Sequence, residues 1–257
     1  MHADAFAVKL TLMFAQALAP RRAGRFVAAT LLTVLFASAV SAEAAVTVTG
    51  FSAAPSTTRA GGHPNLSTSI AFSEPTTLSG LALHLPAGLR AEPRAFPFCS
   101  RKSLLADFCP LNSKLGSIAV VAVAYGIELP VTREIYNVRP RSPERLRLGV
   151  PIIASYTGTG AAAEFPVTQR PQDKGLDIAV SGLPSEVAGI VVRVREVKFF
   201  LKGTSRKRIK RRVRKRAFLT NPVSCTPATT ALDVMLHDAT TLTASSSFTP
   251  TGCSPAG

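Results

Sequence analysis

Short runs in which apolar and polar residues alternate recur beyond residue 44, and they constrain the fold more than any other feature of the chain. Val46 and Val48 alternate with threonines, and the pattern returns at 68–72, 81–85 and 232–236. A period of two places every second side chain on one face, as in a strand with one buried and one solvated side. The chain beyond residue 44 is therefore predicted to be rich in β-strands.

Two of these runs carry extra information. In 191–201 the phase of the alternation slips at Glu196, which predicts a β-bulge. Residues 117–125 are almost continuously apolar, which is typical of a central strand buried on both faces.

Turn-forming residues separate the runs and leave little room for helices. The chain holds 19 prolines, and most of them fall between the alternating runs. One short helix is predicted over 101–106, between Cys99 and Cys109, with Ser100 as its N-cap. Many short strands separated by turns favour an all-β fold of the β-sandwich type. Residues 45–257 would form one sandwich with two sub-sheets or two smaller sandwiches with a seam at 139–143.

The amino-terminal segment, residues 1–44, has the organisation of a signal peptide. Arg21, Arg22 and Arg25 precede an uncharged apolar stretch at 26–41, and small residues at 40–44 fit a signal-peptidase site. We expect a secreted or cell-surface protein with no membrane span after cleavage. The alternative is an uncleaved membrane anchor, for which the apolar run is short.

Four cysteines, all beyond the signal segment, predict two disulfides in an exported chain. Their proximity in the sequence favours Cys99–Cys109 and Cys225–Cys253. A structural zinc site is the alternative, but it needs close ligand pairs such as C-x-x-C, and the sequence has none. No metal or other cofactor is predicted.

The strongest local signal is a run of nine basic residues within eleven positions. Residues 1–42 hold four basic residues and one acidic residue, so the rest of the chain carries a net charge of +12, of which this run supplies +9. We expect 203–217 to be an extended, solvated loop, because like charges repel one another. The candidate polyanion-binding residues are Arg206, Lys207, Arg208, Lys210, Arg211, Arg212, Arg214, Lys215 and Arg216.

Anionic cell-envelope polymers and other polyanions are the expected partners of this loop. Attraction of this kind depends on salt and not on ligand sequence. The run holds no aromatic residue for stacking bases, so dedicated nucleic-acid recognition is not expected. The alternatives are a solvated linker without a partner and a proteolytic processing site.

No catalytic signature accompanies these features. The chain holds no HExxH, GxSxG, P-loop or GxGxxG pattern. His63 and His237 fall in predicted turns, and His84 falls on the polar face of a strand, where we expect it to be solvated. No catalytic residue is predicted. The alternative is a secreted hydrolase whose site the sequence does not reveal.

Several short motifs follow one another in chain order, at 60–69 (AGGHPNLSTS), 83–89 (LHLPAGL), 108–116 (FCPLNSKLG), 218–225 (FLTNPVSC) and 251–253 (TGC). Together they resemble the motifs of a group of exported, often repeat-containing proteins of unknown function from high-GC soil actinobacteria. Asn65 stands where that group has Asp, and the basic run replaces a loop of mixed composition. The resemblance implies a secreted or surface β-rich protein whose local cysteine pairs close loops, and it supplies no functional residues.

The sequence as a whole therefore predicts a non-catalytic interaction or structural module outside the cytoplasm. Its cationic segment would provide the contact with anionic polymers.

Overall fold

The structure, a computed structural model, describes residues 45–153, 161–187, 189–209 and 212–253. The predicted signal peptide lies outside the described residues. The described residues belong to one compact unit.

Strands make up most of this unit. In chain order they are β1 (Val48–Pro55), β2 (Leu66–Thr76), β3 (Leu78–His84), β4 (Arg90–Ala91), β5 (Lys114–Ala124), β6 (Ile127–Val138), β7 (Leu146–Ile153), β8 (Ala161–Gln169), β9 (Leu176–Ser181), β10 (Glu186–Val187), β11 (Ile190–Val191), β12 (Arg193–Leu201), β13 (Thr204–Ile209), β14 (Arg212–Ala217), β15 (Leu219–Thr220), β16 (Ala228–Leu236) and β17 (Thr241–Phe248). The helix α1 spans Arg101–Leu105, and two 3-10 turns occupy Pro93–Ala95 and Leu111–Ser113. None of the helices in the described part of the chain has the length and hydrophobicity that crossing a membrane requires.

Eleven strands form one antiparallel sheet in the order β1-β2-β12-β5-β6-β7-β8-β9-β3-β16-β17. The two outermost strands lie against each other, so the sheet nearly closes on itself. Each of the ten ladders is antiparallel, and with an odd number of strands the first and last must run in the same direction. Accordingly, Arg59 and Thr251, just beyond the two strands, form a parallel bridge, and the Ala53 N–H donates to Ser246 Oγ at 3.1 Å.

The predicted all-β fold is confirmed, whereas a sandwich of two stacked sheets is not. The hydrogen-bonded ladders run through all eleven strands without interruption, so the long strands share one sheet. The segment 139–143, predicted as a seam in the two-domain alternative, connects the neighbouring strands β6 and β7. The remaining strands pair in twos, as β10–β11, β13–β14 and β15–β4.

The core lies inside the curved sheet and is built by the alternation seen in the sequence. In β2 and β16 buried and more exposed side chains alternate along the strand. Ile70, Leu232 and Val234 have no measurable exposed surface. Burial of such aliphatic side chains stabilises the fold by about 1.5–3 kcal/mol each.

The bulge predicted in the strand at 191–201 is confirmed. The register of β12 shifts between Val194 and Glu196 against both of its neighbours, β2 and β5. Against β5, Arg195 is the extra residue, whereas against β2 the residues 72–75 lie opposite Arg195 alone. Beyond the shift Val197 is buried in the core.

Both predicted disulfides are present, Cys99–Cys109 with its Cα atoms 5.4 Å apart and Cys225–Cys253 with its Cα atoms 5.8 Å apart. Because each cysteine sulfur is bonded to the sulfur of its partner cysteine, these four residues do not form a zinc site. The first disulfide encloses α1, whose predicted N-cap is also confirmed: the Ser103 N–H donates to Ser100 Oγ at 3.1 Å. Leu104 of α1 is fully buried in a small second core with Cys99 and Tyr136.

β5 is less buried than its continuous apolar run predicts. It lies between β12 and β6 in the sheet, but most of its residues beyond Ile118 are only half-buried. The reason is that its neighbour β6 pairs with β7 only at Tyr136, Asn137 and Val138. The other half of β6 stays paired with β5 but has no ladder with β7, so the β5–β6 hairpin extends beyond β7 and its side chains are less covered.

Candidate functional site

The basic run forms a β-hairpin over its described residues, which differs from the predicted extended loop. β13 and β14 pair antiparallel from Thr204 opposite Ala217 to Ile209 opposite Arg212. Seven of the nine predicted polyanion-binding residues lie on this hairpin, and Lys210 and Arg211 lie outside the described residues. We call the segment 204–217 the basic hairpin.

The root of the basic hairpin is fixed to the body of the protein. Ser205 is buried, and its hydroxyl donates to Ala95 O at 2.5 Å. The Phe218 N–H donates to Gly203 O, and the Phe218 ring packs edge-on against Phe96 with centroids 5.3 Å apart. Gly203 allows this close approach, because a Cβ there would lie 2.1 Å from Pro64 O.

Pairing at the root explains why so charged a segment forms strands. Arg206 lies opposite Lys215, so like charges face each other across the ladder. Such pairs are destabilising. Backbone hydrogen bonds and the anchored root offset the repulsion, and the long side chains can spread their charges into water.

Four basic side chains of the basic hairpin face solvent. Arg206, Arg214, Lys215 and Arg216 are exposed. Among the described residues, no carboxylate lies within 4.0 Å of any of these four cationic groups. The positive charge of the hairpin is therefore not neutralised within the described part of the protein.

A cleft of about 850 Å³ lies beside the base of the basic hairpin. Four arginines line it, Arg94, Arg139, Arg145 and Arg216, together with Glu92 and Glu144. We call this the cationic cleft. Arg216 belongs to the basic hairpin, so the hairpin surface continues into the cleft without a break.

Three of the four guanidinium groups in the cationic cleft lack an acidic partner. Arg145 lies 3.9 Å from Glu92. Within the described residues, Arg94, Arg139 and Arg216 have no carboxylate within 4.0 Å. An arrangement of this kind can hold an anion such as phosphate, because guanidinium groups donate paired hydrogen bonds to its oxygens.

Glu144 does not offset this positive charge, because it belongs to a separate ion-pair network. Its carboxylate accepts from the Arg147 guanidinium and from the Arg141 N–H, and Arg147 also donates to Glu164 at 2.5 Å. Burial raises the pKa of Glu144, but these hydrogen bonds and the two positive charges outweigh it and hold the pKa below its ordinary value.

Arg94, Arg139 and Arg145 were not singled out by the sequence. They come from a 3-10 turn and from the two ends of the β6–β7 connection, and only the fold brings them to one cleft. Their spacing in the chain contains no signal that could have grouped them.

His84 lies on the polar face of β3, as expected, but it is held between two carboxylates. Its Nδ1 lies 2.9 Å from Asp177 and its Nε2 lies 3.2 Å from Asp233. Desolvation lowers the pKa of His84, but hydrogen bonds to Asp177 and Asp233 and their charges raise it above 6.5 overall. Because both ring nitrogens face carboxylates, neither is placed to take a proton from a hydroxyl nucleophile.

The other two histidines of the described residues bond mainly to backbone. His63 Nδ1 lies 3.1 Å from Leu219 O, and His237 Nε2 lies 3.0 Å from Leu183 O. Within the part of the chain that the structure describes, no three His, Cys, Asp or Glu side chains are grouped to hold a metal ion.

No protein-family model, curated protein or solved structure matches the sequence. Inference about function therefore rests on the geometry and charge of the basic hairpin and the cationic cleft.

Proposed function

We propose that the protein is a secreted or cell-surface binding module without catalytic activity, which holds linear anionic polymers of the cell envelope. One observation carries the proposal: the exposed cationic side chains of the basic hairpin continue through Arg216 into a cleft with further arginines that lack acidic partners. This makes one continuous cationic surface instead of scattered charges.

The length of this surface suits a chain-like ligand. Each strand of the basic hairpin has six residues, which corresponds to about 20 Å of extended backbone. Same-face side chains recur along a strand at about 7 Å. A polymer with repeated anionic groups could contact several of them at once and extend into the cationic cleft.

The side-chain chemistry favours phosphate as the anionic group. Six of the nine basic residues in the run are arginines. The planar guanidinium donates two parallel hydrogen bonds to one phosphate, whereas lysine acts as a point charge. We therefore expect phosphate-rich envelope polymers to bind more tightly than carboxylate-rich polymers of equal charge.

A bound polyanion would also relieve the repulsion within the hairpin. The opposed pair Arg206–Lys215 would have an anion between or beside its two charges. Since the segment 204–217 contains no aromatic residue, binding should not depend on base or sugar identity.

Location outside the cytoplasm is supported by the two disulfides. Both pairs of cysteines are oxidised, which is typical of proteins that fold in an oxidising compartment. The proposal of secretion also draws on the signal-peptide pattern of residues 1–44.

The test replaces five basic residues of the hairpin, Arg206, Lys207, Arg214, Lys215 and Arg216, with serine. We expect the parent protein to bind duplex DNA and a phosphate-rich wall polymer and to be released at about 0.5 M salt. For DNA, the five replacements should reduce the slope of log K against log salt by about 4 to 5. The thermal midpoint should change little, because Arg206, Arg214, Lys215 and Arg216 are exposed.

A control variant with the same change in net charge separates a local site from a general charge effect. It replaces exposed basic residues on other surfaces with serine: Arg90, Lys102, Arg193, Arg195 and Lys198. We expect this variant to retain most of its polymer binding. Equal losses in the two variants would contradict a dedicated site, and so would full retention by the hairpin variant.

A further inference from the structure

A second site lies inside the curved sheet, as an apolar cavity of about 230 Å³. Side chains from seven strands line it, among them Ile118, Val150, Phe165 and Val197, which are all buried. It shares no lining residue with the cationic cleft. For comparison, a dry cavity of 150 Å³ with aliphatic and aromatic walls is large enough to bind benzene.

The cavity exists because the hairpin of β7 and β8 separates from both of its neighbours at one end. β6 pairs with β7 at three positions only, and β8 pairs with β9 at three positions only. Beyond these positions the ladders stop, although each strand continues for several residues. As far as the described residues show, the interior of the sheet is therefore open at this end.

The apolar side chains around this opening are partly exposed to solvent. Val131 and Ile152 line the cavity and are about 40% exposed (41% and 39%), and Leu129, on the same face of β6, is 46% exposed. Exposed apolar groups around a concave apolar space are typical of a ligand entrance.

Of the described residues that line the cavity, Arg133 alone is charged. It lies on the inward face of β6, in phase with the apolar residues Val131 and Ile135. Its guanidinium reaches the space between β6 and β7, where one nitrogen lies 3.5 Å from Ile152 O and another 4.0 Å from Asp107. These two contacts are long, and a guanidinium has five N–H donors, so most donors remain available.

We propose that this cavity binds an amphiphile with one short hydrocarbon chain and one anionic head group, the chain inside the sheet and the head on Arg133. The volume admits a single chain, and the apolar walls offer it no polar partner. A carboxylate or a phosphate at the opening would accept paired hydrogen bonds from Arg133.

The experiment titrates the protein, after removal of bound lipid on a hydrophobic resin, with decanoate, decyl phosphate and decanol by calorimetry. We expect binding of one molecule per chain, with both anionic ligands tighter than decanol. Arg133→Met should weaken the two anions about tenfold or more and leave decanol unchanged, because only the head-group contact is lost.

Two substitutions that introduce larger side chains, one on each of two walls of the cavity, test whether the hydrocarbon chain of the ligand binds inside it. Ala163→Leu on β8 and Val120→Leu on β5 each place a larger side chain on the cavity wall and reduce the cavity volume, so both should weaken all three ligands about tenfold or more. Lys198→Met, on the outer face of β12, is the matched control for charge loss and should bind like the parent. Thermal unfolding of each variant identifies any that does not fold.

Three results would overturn the proposal. These are failure of all three ligands to bind, binding that neither larger side chain weakens, and an Arg133→Met variant that binds decanoate as tightly as the parent. If decanoate and decyl phosphate bind with equal affinity, the site accepts any small anionic head group. If one of them binds more tightly, its head group identifies the chemistry that the site prefers.

Discussion

At the scale of single residues, His84 connects three strands of the sheet. It lies on β3, and its two carboxylate partners lie on β9 and β16, the neighbours of β3 on either side. A histidine between two carboxylates is more stable when it is protonated, so its contribution to folding must depend on pH.

The sign of this dependence follows from the raised pKa of His84. Its contribution is complete below the unfolded-state pKa of about 6.5 and is lost as pH rises through the higher folded-state pKa. We expect His84→Gln to lower the free energy of unfolding by less than about 1 kcal/mol at pH 5.5, since the site is partly exposed. The difference from the parent should shrink towards pH 9, as followed by thermal unfolding.

Asp233→Asn provides the control, because it removes one of the two carboxylates and should reproduce part of the loss at pH 5.5. A stability difference between parent and His84→Gln that stays constant or widens from pH 5.5 to 9 would contradict this account.

At the scale of elements, Arg147 ties β7 to β8 and to the turn before β7. Its side chain is 9% exposed, and it pairs with Glu144 in the turn and with Glu164 on β8. Removing one member of such a buried group leaves the others charged and desolvated.

Arg147→Met should therefore lower the free energy of unfolding by about 3 kcal/mol at pH 7, measured with denaturant. Because the pKa of Glu144 is lowered, the contribution is present above about pH 4.5 and is lost as pH falls through the folded-state pKa. The neighbouring Arg145→Met is the control and should cost less than about 1 kcal/mol, since its pair with Glu92 is exposed. Equal losses in the two variants would contradict the assigned role.

Elements with a local signal could be predicted from the sequence. Alternation located β2 and β16, the phase slip located the bulge in β12, and Ser100 identified the start of α1. In each case the deciding interactions lie within a strand or within one helical turn.

Features that depend on distant parts of the chain could not be predicted. The cationic cleft combines Arg94, Arg139, Arg145 and Arg216 from three separate segments of the chain, and strand order has no local signature. The basic hairpin was predicted as a loop because charge repulsion was considered without the anchored root at Ser205 and Phe218. Arg133 did leave a signal, since it occupies an inward position in the run Leu129, Val131, Arg133, Ile135.

At the scale of the whole molecule, the sheet nearly closes because its two outermost strands, β1 and β17, lie against each other. Cys225 precedes β16 and Cys253 follows β17, so their disulfide joins the two ends of the terminal hairpin. Thr251, beside this disulfide, accepts from the Ala60 N–H and donates its own N–H to Thr58 O on the β1 side. The disulfide therefore stabilises the segment that completes the closure.

Replacing Cys225 and Cys253 together with serine should lower the free energy of unfolding by roughly 3.6 kcal/mol, as expected for a closed loop of 28 residues. The same change at Cys99 and Cys109 should cost less, roughly 2.7 kcal/mol, because that loop spans 10 residues. Denaturant unfolding of both variants measures the two values. A larger loss for the variant without Cys99 and Cys109 than for the variant without Cys225 and Cys253 would show that local packing, and not loop length, determines how much each disulfide stabilises the fold.

The odd number of strands has a dynamic consequence. A parallel contact between β1 and β17, made by few hydrogen bonds, is the weakest connection around the circumference. Backbone amides along this line can exchange their hydrogens with solvent when the two strands separate locally, while the ten ladders behind them stay intact. The expected result is faster amide hydrogen exchange along the contact between β1 and β17 than within the ten ladders.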